Sequence, residues 1–286
     1  MKIGSEAHKQ LFCQSFMESH LKYEPEQLPW PKLDVAQLER LRGIPFWEEA
    51  LNTESNAGFM LNAFAQKVND PMLRDAIALQ GMEESRHSRL IQFLIDHYGI
   101  DTKLHPPKPI PDRIESAFVE FGYGECFDSF FAFGLFAIAR PSGLLPDQFF
   151  TIFDPVINEE ARHMVFFVNW VAYKLVNEGR GAKALRDAHS LWNYTGALRN
   201  RLDSFKGEKK GSGQGFTASG AGAVTIDLTL ENFLSTCIQE NDRRMSVYDP
   251  RLLRPEFLPK VAKTAFGMIK LLPKRNPSTV ESPNLG

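Results

Sequence analysis

The sequence predicts an all-α protein, built on an antiparallel four-helix bundle with additional helices at its N- and C-terminal ends. Three observations carry that expectation. Apolar residues recur at helical spacing through most of the 286 residues, while alternating Val-, Ile- and Thr-rich segments are essentially absent. The four longest helical patterns fall into two hairpins, residues 45–98 and 113–177, with Pro- or Gly-marked turns between and beyond them. A pentapeptide also occurs twice, Glu-Glu-Ser-Arg-His at 83–87 and Glu-Glu-Ala-Arg-His at 159–163, each time inside the second helix of a hairpin.

Taken in order, residues 5–21 carry Leu11, Phe12 and Phe16 at helical spacing, and three prolines make residues 24–33 a connector. Asp34 with Gln37 predicts a capping box for a short helix ending near Arg42, before Gly43. The first long helix runs from Pro45 to about Asn69, with Glu54 as the acid within its apolar stripe. Asp70 followed by Pro71 is an N-cap with proline at the first helical position, so a second helix restarts there and continues to Tyr98 and Gly99. Four prolines fall in the loop 100–111. Asp112 and Glu115 then predict a capping box opening the third helix, through Glu125 to about Arg140. The fourth starts near Pro146 and reaches Asn177, with a kink or bulge expected at Pro155.

Beyond it, residues 182–205, Leu228–Val247 and Phe257–Leu272 each read as helix. The glycine-rich stretch 207–223 reads as a surface loop, and the tail from Pro273 as unstructured. The expected organisation is a single domain: an N-terminal helical extension (1–44), the four-helix core (45–177), additional helices (178–272) and the tail (273–286).

Composition narrows the function. With a net charge of −2, the chain offers no concentrated basic surface for nucleic acid. Three scattered cysteines argue against a disulfide framework or zinc knuckle and suit a reducing cytoplasm. The first residues carry no apolar stretch of the secretory kind, and no apolar run is long enough for a bilayer span. A soluble, cytoplasmic protein is the expectation.

The repeated pentapeptide carries the chemistry. Glu84 and His87, like Glu160 and His163, are one helical turn apart and share a face, where a carboxylate and an imidazole can grip one metal ion. The hairpins have matching arithmetic. Glu54 lies 16 residues before Asp70 and Glu84 lies 13 after Pro71; Glu125 lies 16 before Pro141 and Glu160 lies 14 after Pro146. All four acids therefore reach about the same height in an antiparallel bundle. Six candidate ligands follow: Glu54, Glu84, His87, Glu125, Glu160 and His163, with Asp128, on the face of Glu125, in reserve. Four carboxylates balance two divalent cations, and this donor set suits iron or manganese.

Glu83 and Glu159 also stand at helical spacing, four residues before each histidine. Arg86 and Arg162 follow them by three, which gives those acids cation partners. Glu83, Arg86, Glu159 and Arg162 are accordingly expected either to hold the ligands in orientation or to form ordinary surface ion pairs. Phenylalanines at 118, 121, 130, 131, 133 and 136 surround Glu125 along its helix and suit core packing better than a substrate tunnel. Cys126 and His189 read as structural, and the polar run 239–244 as a solvated helix face.

The doubled acid-Glu-x-Arg-His motif resembles that of the ferritin-like di-iron carboxylate superfamily, in its oxygen-activating branch of monooxygenase hydroxylases and acyl-carrier-protein desaturases. The resemblance covers residues 45–177. It departs from the group in having Glu at the first motif position of both copies, where Asp is common. It implies a ferritin-like bundle holding two iron ions, or a manganese–iron pair, through Glu84, His87, Glu160 and His163, with Glu54 and Glu125 by position. It also implies dioxygen and a small apolar organic substrate as reactants. The chain has no dinucleotide fingerprint and no Cys-rich cluster, so electrons are expected from an external donor. A homodimer is compatible with the sequence. The alternatives are an iron-handling protein (a ferroxidase or peroxide scavenger) and a non-enzymatic helical scaffold stabilised by metal.

Overall fold

The structure, a computed structural model, describes residues 1–103, 105–205 and 229–271. Its regular elements are helical, and no strand occurs among the described residues. They are α1 (Glu6–Glu18), α2 (Val35–Arg42), α3 (Trp47–Ala65), α4 (Pro71–Tyr98), α5 (Ile114–Ala139), α6 (Asp147–Asn177), α7 (Lys183–Phe205), α8 (Leu230–Met245) and α9 (Phe257–Leu271), with short 3₁₀ turns at Pro25–Gln27 and Arg140–Ser142. Among the described residues no helix is long and apolar enough to cross a membrane. The glycine-rich stretch 207–223 and the tail from Pro273 lie outside the described residues.

Local chemistry sets most boundaries. Asp70 accepts hydrogen bonds from the backbone N–H groups of Met72 and Leu73, and Pro71 costs nothing at a position whose N–H has no helical acceptor. Gly99 closes α4 in the left-handed conformation (φ 60°). The Asp34–Gln37 capping box forms as expected. The one expected at Asp112–Glu115 does not: α5 starts after Arg113 with no side-chain cap. Glu115 instead pairs with Lys174 of α6, at 2.6 Å. Helix α6 is continuously α-helical through Pro155, so the expected bulge does not form.

Among the described residues, helices α3 and α4 make the most extensive packing, and α5 packs on α6, α7 and α8. Both long hairpins are antiparallel. Gly58 faces Ser85 while Asn62 faces Gly81, and Gly122 faces Phe167 while Ser129 faces Glu160, so in each pair one number rises as the other falls. A Cβ on Gly58 would stand 2.4 Å from Ser85 Oγ and 2.9 Å from its backbone nitrogen, so this glycine permits the close approach of α3 to α4. Gly58→Ala should therefore destabilise the protein by about 1–2 kcal/mol in urea unfolding, overpacking outweighing the gain in helix propensity. Helix α5 is apolar on nearly every side, and α7 and α8 cover what α3 and α6 leave. That explains a departure in the run 239–244: Asn241 and Arg244 are buried, Arg244 over the Phe133 ring and donating to Asn158.

Candidate metal centre

The six sequence-predicted residues converge. Glu54 comes from α3, Glu84 and His87 from α4, Glu125 from α5, and Glu160 and His163 from α6. They form two overlapping groups able to hold a cation: Glu54, Glu84, His87 and Glu160, and Glu84, Glu125 and His163. His87 Nδ1 lies 3.3 Å from Glu160, 3.6 Å from Glu54 and 3.6 Å from Glu84. His163 Nδ1 lies 3.1 Å from Glu84, 3.1 Å from Glu125 and 3.9 Å from Glu160. Glu84 and Glu160 thus stand between the two imidazoles, with Glu54 and Glu125 on the flanks. Asp128, the reserve, is not in the cluster: it is held by the Arg201 guanidinium of α7.

The outer imidazole nitrogens are held crosswise. His87 Nε2 meets Glu159 at 2.8 Å and His163 Nε2 meets Glu83 at 2.9 Å, each histidine being oriented by the motif on the opposite helix. The arginines cross as well. Arg86 donates to Glu159 at 2.5 Å and lies 4.0 Å from Glu83 on its own helix, while Arg162 donates to Glu83. All four side chains are buried, which excludes the surface-ion-pair reading, and their partners lie across the helix pair rather than along one helix.

The N-terminal segment completes this network, with no motif to announce it. His20 Nδ1 meets Glu83 at 2.5 Å, and the Tyr23 hydroxyl donates to Glu159 at 3.1 Å. Leu21 and Phe16 offer backbone carbonyls to Arg86 and Arg162, with the Tyr23 and Phe16 rings beneath those guanidiniums. Two further side chains escaped the sequence reading: Gln80 donates to Glu125, and Ser129 to Glu160.

Electrostatics follow from this packing. Burial, reinforced by Glu84 and Glu160, pushes Glu54 well above the usual carboxylate range, and burial with the charges of Glu160 and Glu84 does the same to Glu125. Burial opposes ionisation of Glu84 too, but both imidazoles face it and hold it well below. Burial also disfavours charge on the histidines, yet their surrounding carboxylates raise both well above the usual value. Burial would raise Glu83; His163, Arg162 and His20 hold it down at about 2.

Of eight buried side-chain atoms without a hydrogen-bond partner among the described residues, four point to what the cluster accommodates: His87 Nδ1, His163 Nδ1, Glu84 Oε1 and Glu125 Oε1. Half of the unpartnered atoms thus fall on the six candidate ligands, and stranded buried polar atoms are costly and rare. With each Nε2 committed to a carboxylate, each Nδ1 faces inward, where it would give up its proton and present a lone pair to a cation. Divalent cations fit this set, and carboxylates with imidazoles suit iron or manganese.

A cavity of about 540 Å³ adjoins the cluster, and Glu54, Glu84, His87, Glu125 and Glu160 line it. The 21% of the Glu54 side chain that is exposed belongs to a residue of this lining. The phenylalanines of α5 divide between two roles. Phe118, Phe130 and Phe133 are fully buried core, while Phe121 and Phe136 line the cavity. Cys126 is buried, its thiol pushed well up by burial, and Tyr123 meets His189 at 3.2 Å, both as structural residues would. Comparison with protein-family models, with curated proteins and with solved structures gave no match.

Proposed function

We propose that α3–α6 form a ferritin-like four-helix bundle and that the chain is a dinuclear-metal oxidoreductase, with iron as the expected metal, activating dioxygen to oxidise a small apolar molecule. The observation that carries this reading is the opening of the carboxylate–imidazole cluster onto a largely apolar cavity. A site that only stabilised the fold has no need of such a room beside its ligands.

Glu54, Glu84, His87, Glu125, Glu160 and His163 would hold the two ions. So held, an iron pair supplies the redox chemistry that reduces dioxygen and oxidises a substrate bond. The protein's own contribution is positioning. Glu83 and Glu159 fix the imidazoles by their outer nitrogens, and Arg86 and Arg162 keep those two acids aimed. Glu54, which borders the cavity, places one of the ligands directly beside the substrate space. The apolar walls exclude water and strengthen every electrostatic interaction within.

The test is anaerobic loading with ferrous iron followed by admission of dioxygen. Uptake of dioxygen in proportion to the bound ion pair, abolished by Glu84→Ala, is the expected result. Progressive oxidation of a large excess of iron into a mineral would assign the chain to iron handling instead.

A further inference from the structure

The cavity extends in one direction. Along α5 its lining runs from Glu125 to Ala139, 14 residues and roughly 21 Å of helix; along α6 it runs from Glu160 back to Phe149, 11 residues and roughly 16 Å. The opposite way along α5 it reaches only Glu120, five residues or roughly 7 Å from Glu125. The cluster therefore sits near one end of an elongated lobe. Past Thr53, Asp128 and Ser129, which stand within about one turn of the ligands, the walls are aliphatic or aromatic, among them Trp47, Ile91, Leu135, Phe136, Phe149 and Phe150. One polar side chain interrupts them, at the far end, where exposed Gly43 and Arg40 border the lining.

Arg40 is a cation with capacity to spare. Its Nε donates to the Leu144 carbonyl at 3.0 Å, which holds the guanidinium at the rim, and its two terminal nitrogens donate to no described residue. Arg201, the other arginine of the lining, differs: beside the cluster, its nitrogens are spent on Asp128, Gly124 and Ala197. Among the described lining residues, Arg40 is thus the arginine with uncommitted donors.

We infer that the lobe binds an unbranched aliphatic chain with an anionic head group, the head on Arg40 and the far end of the chain at the carboxylate–imidazole cluster. A span of this length takes on the order of a dozen carbons, given C–C bonds of about 1.5 Å in an extended zigzag. A long, narrow, apolar space favours a linear chain over a compact ring, because it is filled along its whole length without voids. The inference deepens the oxidoreductase reading and takes its reaction centre from it, but chain binding itself does not require the metals.

Calorimetric titration of the full chain with dodecanoate and dodecanol, and NMR of 12,12,12-trifluorododecanoate on protein loaded with manganese(II), provide the test. Dodecanoate should bind once per chain and about tenfold more tightly than dodecanol, a preference that Arg40→Gln removes by weakening the acid alone. Arg89→Gln, which alters an exposed arginine paired with Glu24 and Glu26, should change neither ligand. Ala139→Phe, which fills the distal lobe, should shift the preference to shorter acids. The terminal fluorines should be broadened by manganese. Equal binding of acid and alcohol, an Arg40→Gln variant indistinguishable from the parent, or unbroadened fluorines on a metal-loaded protein would each overturn the inference. If the chain binds as described but the protein takes up no metal, the oxidoreductase reading fails and the binding site stands. If two metals load and no acid binds, the reverse holds.

Discussion

Glu125→Gln is expected to abolish loading of the second metal ion while making the metal-free protein more stable. Without cations, Glu125 is a buried carboxyl facing the charges of Glu160 and Glu84, with Oε1 lacking a hydrogen-bond partner. A glutamine of nearly the same shape carries no charge and brings an amide donor to a site whose unpartnered atoms include Glu84 Oε1 and His163 Nδ1. Satisfying one such buried atom is worth about 1–3 kcal/mol. The pH dependence follows from the direction of the shift. A carboxyl raised in the folded protein binds more protons folded than unfolded. Its contribution is complete below the ordinary carboxylate range and is lost as pH rises through the folded value. The gain from Glu125→Gln should therefore be largest at alkaline pH and vanish toward pH 4. Urea unfolding of metal-free protein across that range checks it. A variant destabilised at pH 8, or still loading two ions, would contradict the role assigned to Glu125.

Glu83→Ala should act in the opposite sense and cost more. Glu83 accepts from His163, Arg162 and His20 in a fully buried position. Removing it leaves Arg162 in the interior with the Phe16 carbonyl at 2.9 Å and Glu159 at 3.9 Å. Stranding a buried charge in this way costs about 3–5 kcal/mol, against little for the exposed pair Glu24–Arg89. Because Glu83 is held at about 2, its contribution is present above the ordinary carboxylate value and is lost as pH falls from there through about 2. The variant should accordingly show its deficit at neutral pH and a flatter acid limb. Metal affinity should fall roughly 10–100-fold as well, since His163 loses the partner that orients it. Glu83→Gln, which keeps an acceptor, should recover part of both losses.

How far the sequence could be read follows from the range of each interaction. Asp70–Pro71, Asp34–Gln37 and Gly99 were legible because a cap acts within a few residues. The Asp112–Glu115 box was misread because Glu115 answers to Lys174, some sixty positions away. The spacing of Glu84 and His87 revealed a shared face, and counting from the turns brought Glu54 and Glu125 to their level. The same local reasoning paired Arg86 with Glu83, whereas the fold sends it to Glu159. No pattern within α1 or the segment after it announces His20 or Tyr23, which act only because that segment lies against the outer faces of α4 and α6. The elongated lobe was invisible for a related reason: the cavity's walls come from α2 through α7 and the turns between them, and its apolar lining residues read as ordinary core.

The claim on which the rest depends is that six side chains from four helices form one site for a pair of cations. Anaerobic titration of the metal-free full chain with ferrous iron, counted by elemental analysis after gel filtration, tests it directly. Retention of two ions per chain is expected, falling to one or none in Glu84→Ala. Retention of no ion by the parent protein, or of two by Glu84→Ala, would contradict it.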